Sequence, residues 1–183
     1  RTAWTPASTN RAREILIQSP GTLMCGTKVA SGTLLFTTHD IHFMRYIGLP
    51  DVYQIKRVGS ECGIIGKHAF VSVDQTAYWM GLNAFWVWMG YAEPLQCSLQ
   101  DDVFKNINQT YRDKVWCWHN SADGEVWFYY PRGAATECSH AAVYCYRGQP
   151  HWTNVELARN CGFPAGTFDW PVKVTSAGVI KKH

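Results

Sequence analysis

Apolar and polar residues alternate along most of this chain with a period of two, and each alternating run stops at glycine, proline, asparagine or aspartate. A period of two puts successive side chains on opposite faces of an extended backbone, so the pattern predicts strands. They are expected at Glu14–Gln18, Thr33–Thr38, Ile41–Tyr46, Val52–Val58, Ala69–Val73, Thr76–Met80, Phe85–Met89, Lys114–His119, Glu125–Tyr130, Ala141–Tyr146, His151–Val155 and Val172–Thr175. Between them fall turn signals: Ser19-Pro20-Gly21, a loop over Gly26–Gly32, His39-Asp40, Gly48-Leu49-Pro50, Gly81-Leu82-Asn83 and Asn120–Gly124. Only Leu99–Tyr111 breaks the rhythm. It is more polar, carries Val103, Phe104 and Ile107 at helical offsets, and predicts one short helix.

The predicted class is all-β, built from antiparallel meanders. Strands recur at the short spacing of sandwiches, barrels and propellers. Three segments, 14–58, 69–97 and 114–155, each offer three or four strands closed by glycine turns and read as β-propeller blades, with a β-sandwich as the alternative. The centre of the pattern is Tyr78–Cys97, a paired aromatic hairpin in which Trp79, Phe85 and Trp88 supply packing. Gly81 and Gly90 are expected to end its strands through positive φ, and Pro94 to Cys97 lead out toward the helix. Glu125, Trp127, Tyr144 and Trp152 are the corresponding structural positions of the third segment. The chain opens on a polar, turn-rich Arg1–Asn10 and closes on Phe168-Asp-Trp-Pro171 and Gly178–His183 with no final turn, so residues 1–183 read as part of one domain cut from a longer polypeptide.

Composition narrows the function classes. Hydrophobic residues make up 46% and charged residues 17%, with nine Trp, nine Tyr and eight Phe, a load that suits the thin cores between stacked sheets. A net charge of +3 without a Lys/Arg cluster does not announce a nucleic-acid binder. Arg45, Lys56, Arg57, Lys67 and Lys114 alternate with aromatics within reach of phosphates, but scattered cations more often form a solvated face. No apolar run is long enough to span a bilayer.

Seven cysteines without a CxxC pair argue against a disulfide framework and for buried free thiols. Cys117 with His119, and Cys138 with His140, sit at i and i+2, and Cys145, His151 and Cys161 follow. Zinc ligands are normally paired at other spacings, so no metal or other cofactor is expected. Asp101, Asp102, Asp123 and Glu125 are the only carboxylates considered for acid and base work. The first two read better as helix-start residues and Asp123-Gly124 as a turn. No nucleophile elbow or phosphate-binding loop is present, and Gly63-Ile-Ile-Gly66 lacks the lysine and helix that such a loop needs. No catalytic residue is therefore assigned.

The order of the pieces resembles that of bacteriophage tail-hub or nozzle proteins, the propeller-containing structural proteins of short-tailed phages, among them the packaged-DNA stabilisation type. The resemblance runs through Gly32–Thr38, Cys62–Gly66, Val71–Asp74, Tyr78–Gly81, Phe85–Trp88, Gly90 and Pro94–Cys97. It continues through Asp102–Phe104, Asn106–Asn108, Lys114-Val115, Glu125–Pro131, Val143-Tyr144 and Trp152. It implies a non-enzymatic virion protein, made in the host cytoplasm and assembled as a homo-oligomeric ring with other tail or connector proteins, in passing contact with the genomic DNA. The competing reading is a carbohydrate- or receptor-binding tail module, in which Trp79, Trp86, Trp88, Trp116, Trp118 and Trp127 stack on sugar faces.

Overall fold

A computed structural model describes residues 5–7, 12, 14–164 and 169–183. Most of the turn-rich start at Arg1–Asn10, and Phe168 of the predicted tail, lie outside them. The described chain is mostly antiparallel β, in four small sheets whose strands follow one another in sequence order. The first sheet holds β1 (Leu23–Val29), β2 (Gly32–Thr37), β3 (Ile41–Gly48) and β4 (Val52–Gly59). The second holds β5 (Phe70–Val73), β6 (Thr76–Met80), β7 (Phe85–Trp88) and β8 (Ala92–Leu95), and the third β9 (Trp116–Asn120), β10 (Glu125–Tyr130), β11 (His140–Cys145) and β12 (His151–Glu156). The fourth has three short strands, β13 (Cys161–Phe163), β14 (Val172–Val174) and β15 (Ile180–Lys182).

Strand alternation explains how the sheets meet. In the second sheet, Ala77 opposes Trp88 and Trp79 opposes Trp86, which gathers these side chains on one face. That face meets the first sheet, where Phe36 lies 5.4 Å from Trp79 and 5.6 Å from Phe70, and Phe43 lies 5.7 Å from Trp88. The opposite face, with Tyr78 and Phe85, meets the third sheet: Phe85 lies 4.8 Å from Phe128 and 4.6 Å from Trp152. The third sheet repeats the device, turning Phe128 toward the second sheet and Trp118, Trp127 and Tyr129 toward Lys173 of the fourth. Both faces of the second and third sheets are thus covered. The first strands of these two sheets also run side by side, with a parallel bridge from His68 to Trp116 and a bond from the Cys117 amide to the His68 carbonyl of 3.0 Å.

Several expectations are corrected. Glu14–Gln18 forms no strand; Leu16 is 85% exposed, and the segment runs beside His42, Ile55 and Arg57. The Ser19 hydroxyl bonds to Thr37 and Asp40, which fixes the turn ahead of β1 and carries the chain away from a ladder position. Gly26, expected in a loop, lies within β1 and pairs with Leu35. A Cβ there would approach the Leu34 carbonyl to 3.0 Å, so glycine permits a close ladder. The predicted helix is shorter, Gln100–Asn106 (α1), and is followed by a separate 3-10 turn at Gln109–Lys114. Between them Ile107 is extended and bridges Arg132, while the Asn108 side chain accepts from the Thr110 amide and opens the second turn. The strands β8 and β13, and with them the fourth sheet, were not anticipated. Pro94 reads as a chain exit, yet it opposes Trp86 in the outermost strand of its sheet, where a missing N–H is tolerated.

Candidate functional site

The aromatic residues singled out in the sequence pack at three contacts between sheets: Trp79 and Trp88 at the first, Phe85, Tyr144 and Trp152 at the second, and Trp127 at the third. Trp79 is fully buried, and its indole N–H donates to the Cys62 carbonyl at 2.8 Å. Phe85 is fully buried between sheets, and Trp88 nearly so. Trp152 donates to the Gln96 carbonyl at 2.7 Å and packs 5.0 Å from Tyr144, which joins the edge of the third sheet to the exit of the second. Glu125 accepts from the Trp127 indole at 2.9 Å and so aims that ring. Gly90 takes φ +98 as expected. Gly81 does not take a positive φ; its constraint is space, because a Cβ would lie 2.8 Å from the Trp86 indole nitrogen and 3.0 Å from the Gly63 carbonyl. Burial pushes the Cys97 thiol up to about 11.

The Cys117/His119 and Cys138/His140 pairs, with Cys145, His151 and Cys161, go separate ways. His119 shares a 2.8 Å bond with the Tyr146 hydroxyl, His140 bonds to Ser139, and His151 bonds to the Gln149 carbonyl. The Cys138 thiol donates to the Lys114 carbonyl, Cys145 to that of Arg147, and Cys161 is exposed. Among the described residues no three such side chains converge on a point that suits a metal ion, and all seven cysteines are free. Burial raises Cys117 well above the usual thiol value and Cys138 to about 12, so both are protonated at neutral pH and poor as nucleophiles or ligands.

The carboxylates are also committed. Asp101 and Asp102 lie in the first turn of α1, and Asp101 pairs with Lys105 at 2.8 Å. Asp123 accepts from Asn120 within its turn. Asp102 receives a two-pronged grip from Arg132, at 2.6 and 2.7 Å, with Asn154 adding a bond of 3.2 Å. The Arg132 hydrogen bonds hold the Asp102 carboxyl below its usual range. This clamp ties the helix to the third sheet, and sequence reasoning missed it because 30 residues separate the partners.

A D102N variant keeps the size of the side chain and loses the charge. We expect it to lower stability by about 1–2 kcal/mol at neutral pH, read from the urea midpoint. Because the folded carboxyl titrates below 3.8, the clamp contributes fully above that pH and is lost as pH falls through the folded value. D102N should therefore converge with the parent protein in acid.

A cleft of about 610 Å³ opens where the second, third and fourth sheets meet, lined by Phe70, Trp116, Cys117, Cys138 and Asn160 among others. Lys114 and Glu137 form an ion pair at this cleft, and the Asn160 amide donates to Glu137 at 3.0 Å. The cations considered as phosphate contacts are dispersed. Lys114 is taken by Glu137, Arg57 lies 3.8 Å from Asp40, Arg45 donates to Gln54, and Lys67 is exposed ahead of β5.

The least anticipated group is Lys173 on β14. Its side chain is buried to 1% exposure. The ammonium lies 3.8 Å from the Trp118 ring centre and 4.2 Å from that of Trp127, and it donates to the Tyr129 hydroxyl at 2.7 Å. Across the strand, Gly162 makes room for the lysine stem, since a Cβ would stand 2.8 Å from its Cγ. Burial pushes this ammonium down to about 7, with Arg159 adding to the shift and Glu125 opposing it. Alternation sets Lys173 on the face opposite Val172 and Val174, so no local pattern in the sequence marks it as buried.

No family model and no curated protein matches the chain. No described helix is long and apolar enough to cross a membrane. The leading feature of the architecture is sheet-on-sheet aromatic packing.

Proposed function

We propose that this chain is a structural protein of a phage virion, forming part of a ring around the DNA exit channel in a tail hub, nozzle or head-to-tail connector, with no catalytic role. Its four sheets are then blades of a β-propeller-like domain. The observation that carries the reading is the double coverage of the second and third sheets by aromatic side chains, which suits a rigid annular wall. The side-by-side first strands of those sheets support the same arrangement, since innermost strands of adjacent blades approach one another in a propeller. The sugar-binding alternative is disfavoured. Trp79, Trp88, Trp116 and Trp118 are buried, and Trp86 and Trp127 are half-buried, so none offers the open ring face that a sugar platform needs.

Electron microscopy of particles labelled with an antibody against this segment tests the proposal. Label on the tail axis, at a ring of repeated copies, is the expected result. Label dispersed on peripheral fibres, or a soluble monomer with selective glycan binding, rejects it.

A further inference from the structure

The β3–β4 hairpin outruns the sheet to which it belongs. β2 pairs with β3 only from Phe36–Ile41 to Thr33–Met44, whereas β3 and β4 remain paired through Arg45–Gln54, Tyr46–Tyr53 and Gly48–Val52. Residues 45–54 therefore form a two-stranded arm beyond β2, roughly 10 Å long at ~3.3 Å per residue. A projecting ribbon gains little burial from its own sheet, and polar residues would be its ordinary content. This arm instead exposes four large apolar or aromatic side chains. Tyr46 is 69% exposed, Leu49 65%, Tyr53 48% and Ile47 43%.

The side chains are ordered along the arm. Ile47 and Leu49 stand at the tip, and the Tyr46 and Tyr53 rings form an edge-on pair, 5.8 Å apart, just behind them. Arg45 and Lys56 follow on one face and Arg57 on the other, the last shared with buried Asp40 at 3.8 Å. Asp51 is the acidic residue at the turn.

We propose that this arm docks the protein onto an anionic lipid bilayer, with Ile47 and Leu49 entering the acyl boundary, the two tyrosines at headgroup depth and Arg45 and Lys56 facing lipid phosphates. Three chemistries stacked in that order match the three zones of a membrane interface, where Tyr is favoured and surface cations attract anionic lipid. The surface is convex and narrow, so it enters a soft layer without a complementary groove. Insertion is shallow and crosses nothing, in keeping with the absence of a membrane-spanning helix among the described residues. The proposal stands apart from the ring reading and does not depend on it.

The test is vesicle flotation of the whole chain with phosphatidylcholine alone and with a phosphatidylglycerol mixture, comparing the parent protein with I47D/L49D and with R45E/K56E. Arg45, Ile47 and Leu49 are exposed on the arm and Lys56 is exposed on β4 just behind it, so circular dichroism and melting temperature should be unchanged. We expect binding to the anionic vesicles, weakened by salt, and reduced by at least about tenfold in both variants. Binding that is equal in parent and I47D/L49D overturns the proposal, as does absence of binding to anionic vesicles. Self-association that I47D/L49D abolishes, without vesicle binding, also overturns it and assigns the arm to a second copy of this chain.

Discussion

A W79A variant is expected to lose about 3–5 kcal/mol of stability, the usual cost of removing a fully buried tryptophan from a packed core. Single domains are held by roughly 5–15 kcal/mol, so this loss places the variant at the edge of folding. Two effects add at this site. The indole is fully buried beside Phe36, and its deletion leaves a void between the first and second sheets. It also strips the Cys62 carbonyl of the 2.8 Å bond that pins the glycine-rich connection ahead of β5. W79F separates the two, because a ring remains while the donor is lost, and it should cost less than W79A. Urea titration followed by far-ultraviolet circular dichroism reads both. Equal and small midpoint shifts would sink the view that this interface holds the sheets together.

The second large effect concerns Lys173. Replacing it by methionine should raise stability near neutral pH and flatten its dependence between pH 7 and 9.5. The sign follows from linkage. The folded ammonium titrates at about 7 against an ordinary value of 10.5, so between those values the unfolded chain holds a proton that the folded chain has released. Stability therefore rises with pH across that window, and below about 7 the buried charge exerts its full penalty. A shift of that size corresponds to roughly 5 kcal/mol, at ~1.4 kcal/mol per unit. Methionine leaves the buried Tyr129 hydroxyl without its lysine partner, which offsets roughly 1–3 kcal/mol, so a net rise of roughly 2–4 kcal/mol is expected.

Other groups facing Lys173 must be held constant. Tyr129 and Glu125 come from β10, Arg159 precedes β13, and His183, itself pushed down to about 4 by burial, accepts a bond from Arg159. Buried thiols work in the opposite direction. Cys25, Cys62 and Cys97, raised to about 11 from 9, weaken the fold as pH climbs through 9. The difference between parent and K173M removes that contribution, because both carry the same cysteines. A difference that stays constant with pH would mean that the lysine remains charged throughout.

How much of this was legible beforehand depended on the range of the interactions. Thr76–Met80 and Glu125–Tyr130 match their strands end to end, because alternation and bounding turns are local and survive without knowledge of neighbours. Glu14–Gln18 reads locally as a strand and forms none, since Ser19, bonded to Thr37 and Asp40, carries it away from a ladder position. Gly81 was singled out for the wrong reason: its φ is ordinary, and the constraint is the Trp86 ring on the facing strand. The Asp102–Arg132 clamp and the Lys173 cage were invisible, because each joins residues 30 or more positions apart whose types carry no motif.

By itself, then, the sequence determined an antiparallel meander architecture, the places where most strands stop, and the aromatic character of Tyr78–Cys97. Backbone alternation and turn chemistry act within a few residues, and they suffice for that much. Only the tertiary structure decided which face of each strand meets which sheet, that a fourth sheet closes over the third around a buried lysine, and that the β3–β4 arm runs on beyond β2. Those outcomes depend on desolvation and packing between segments distant in the chain, which no local pattern encodes.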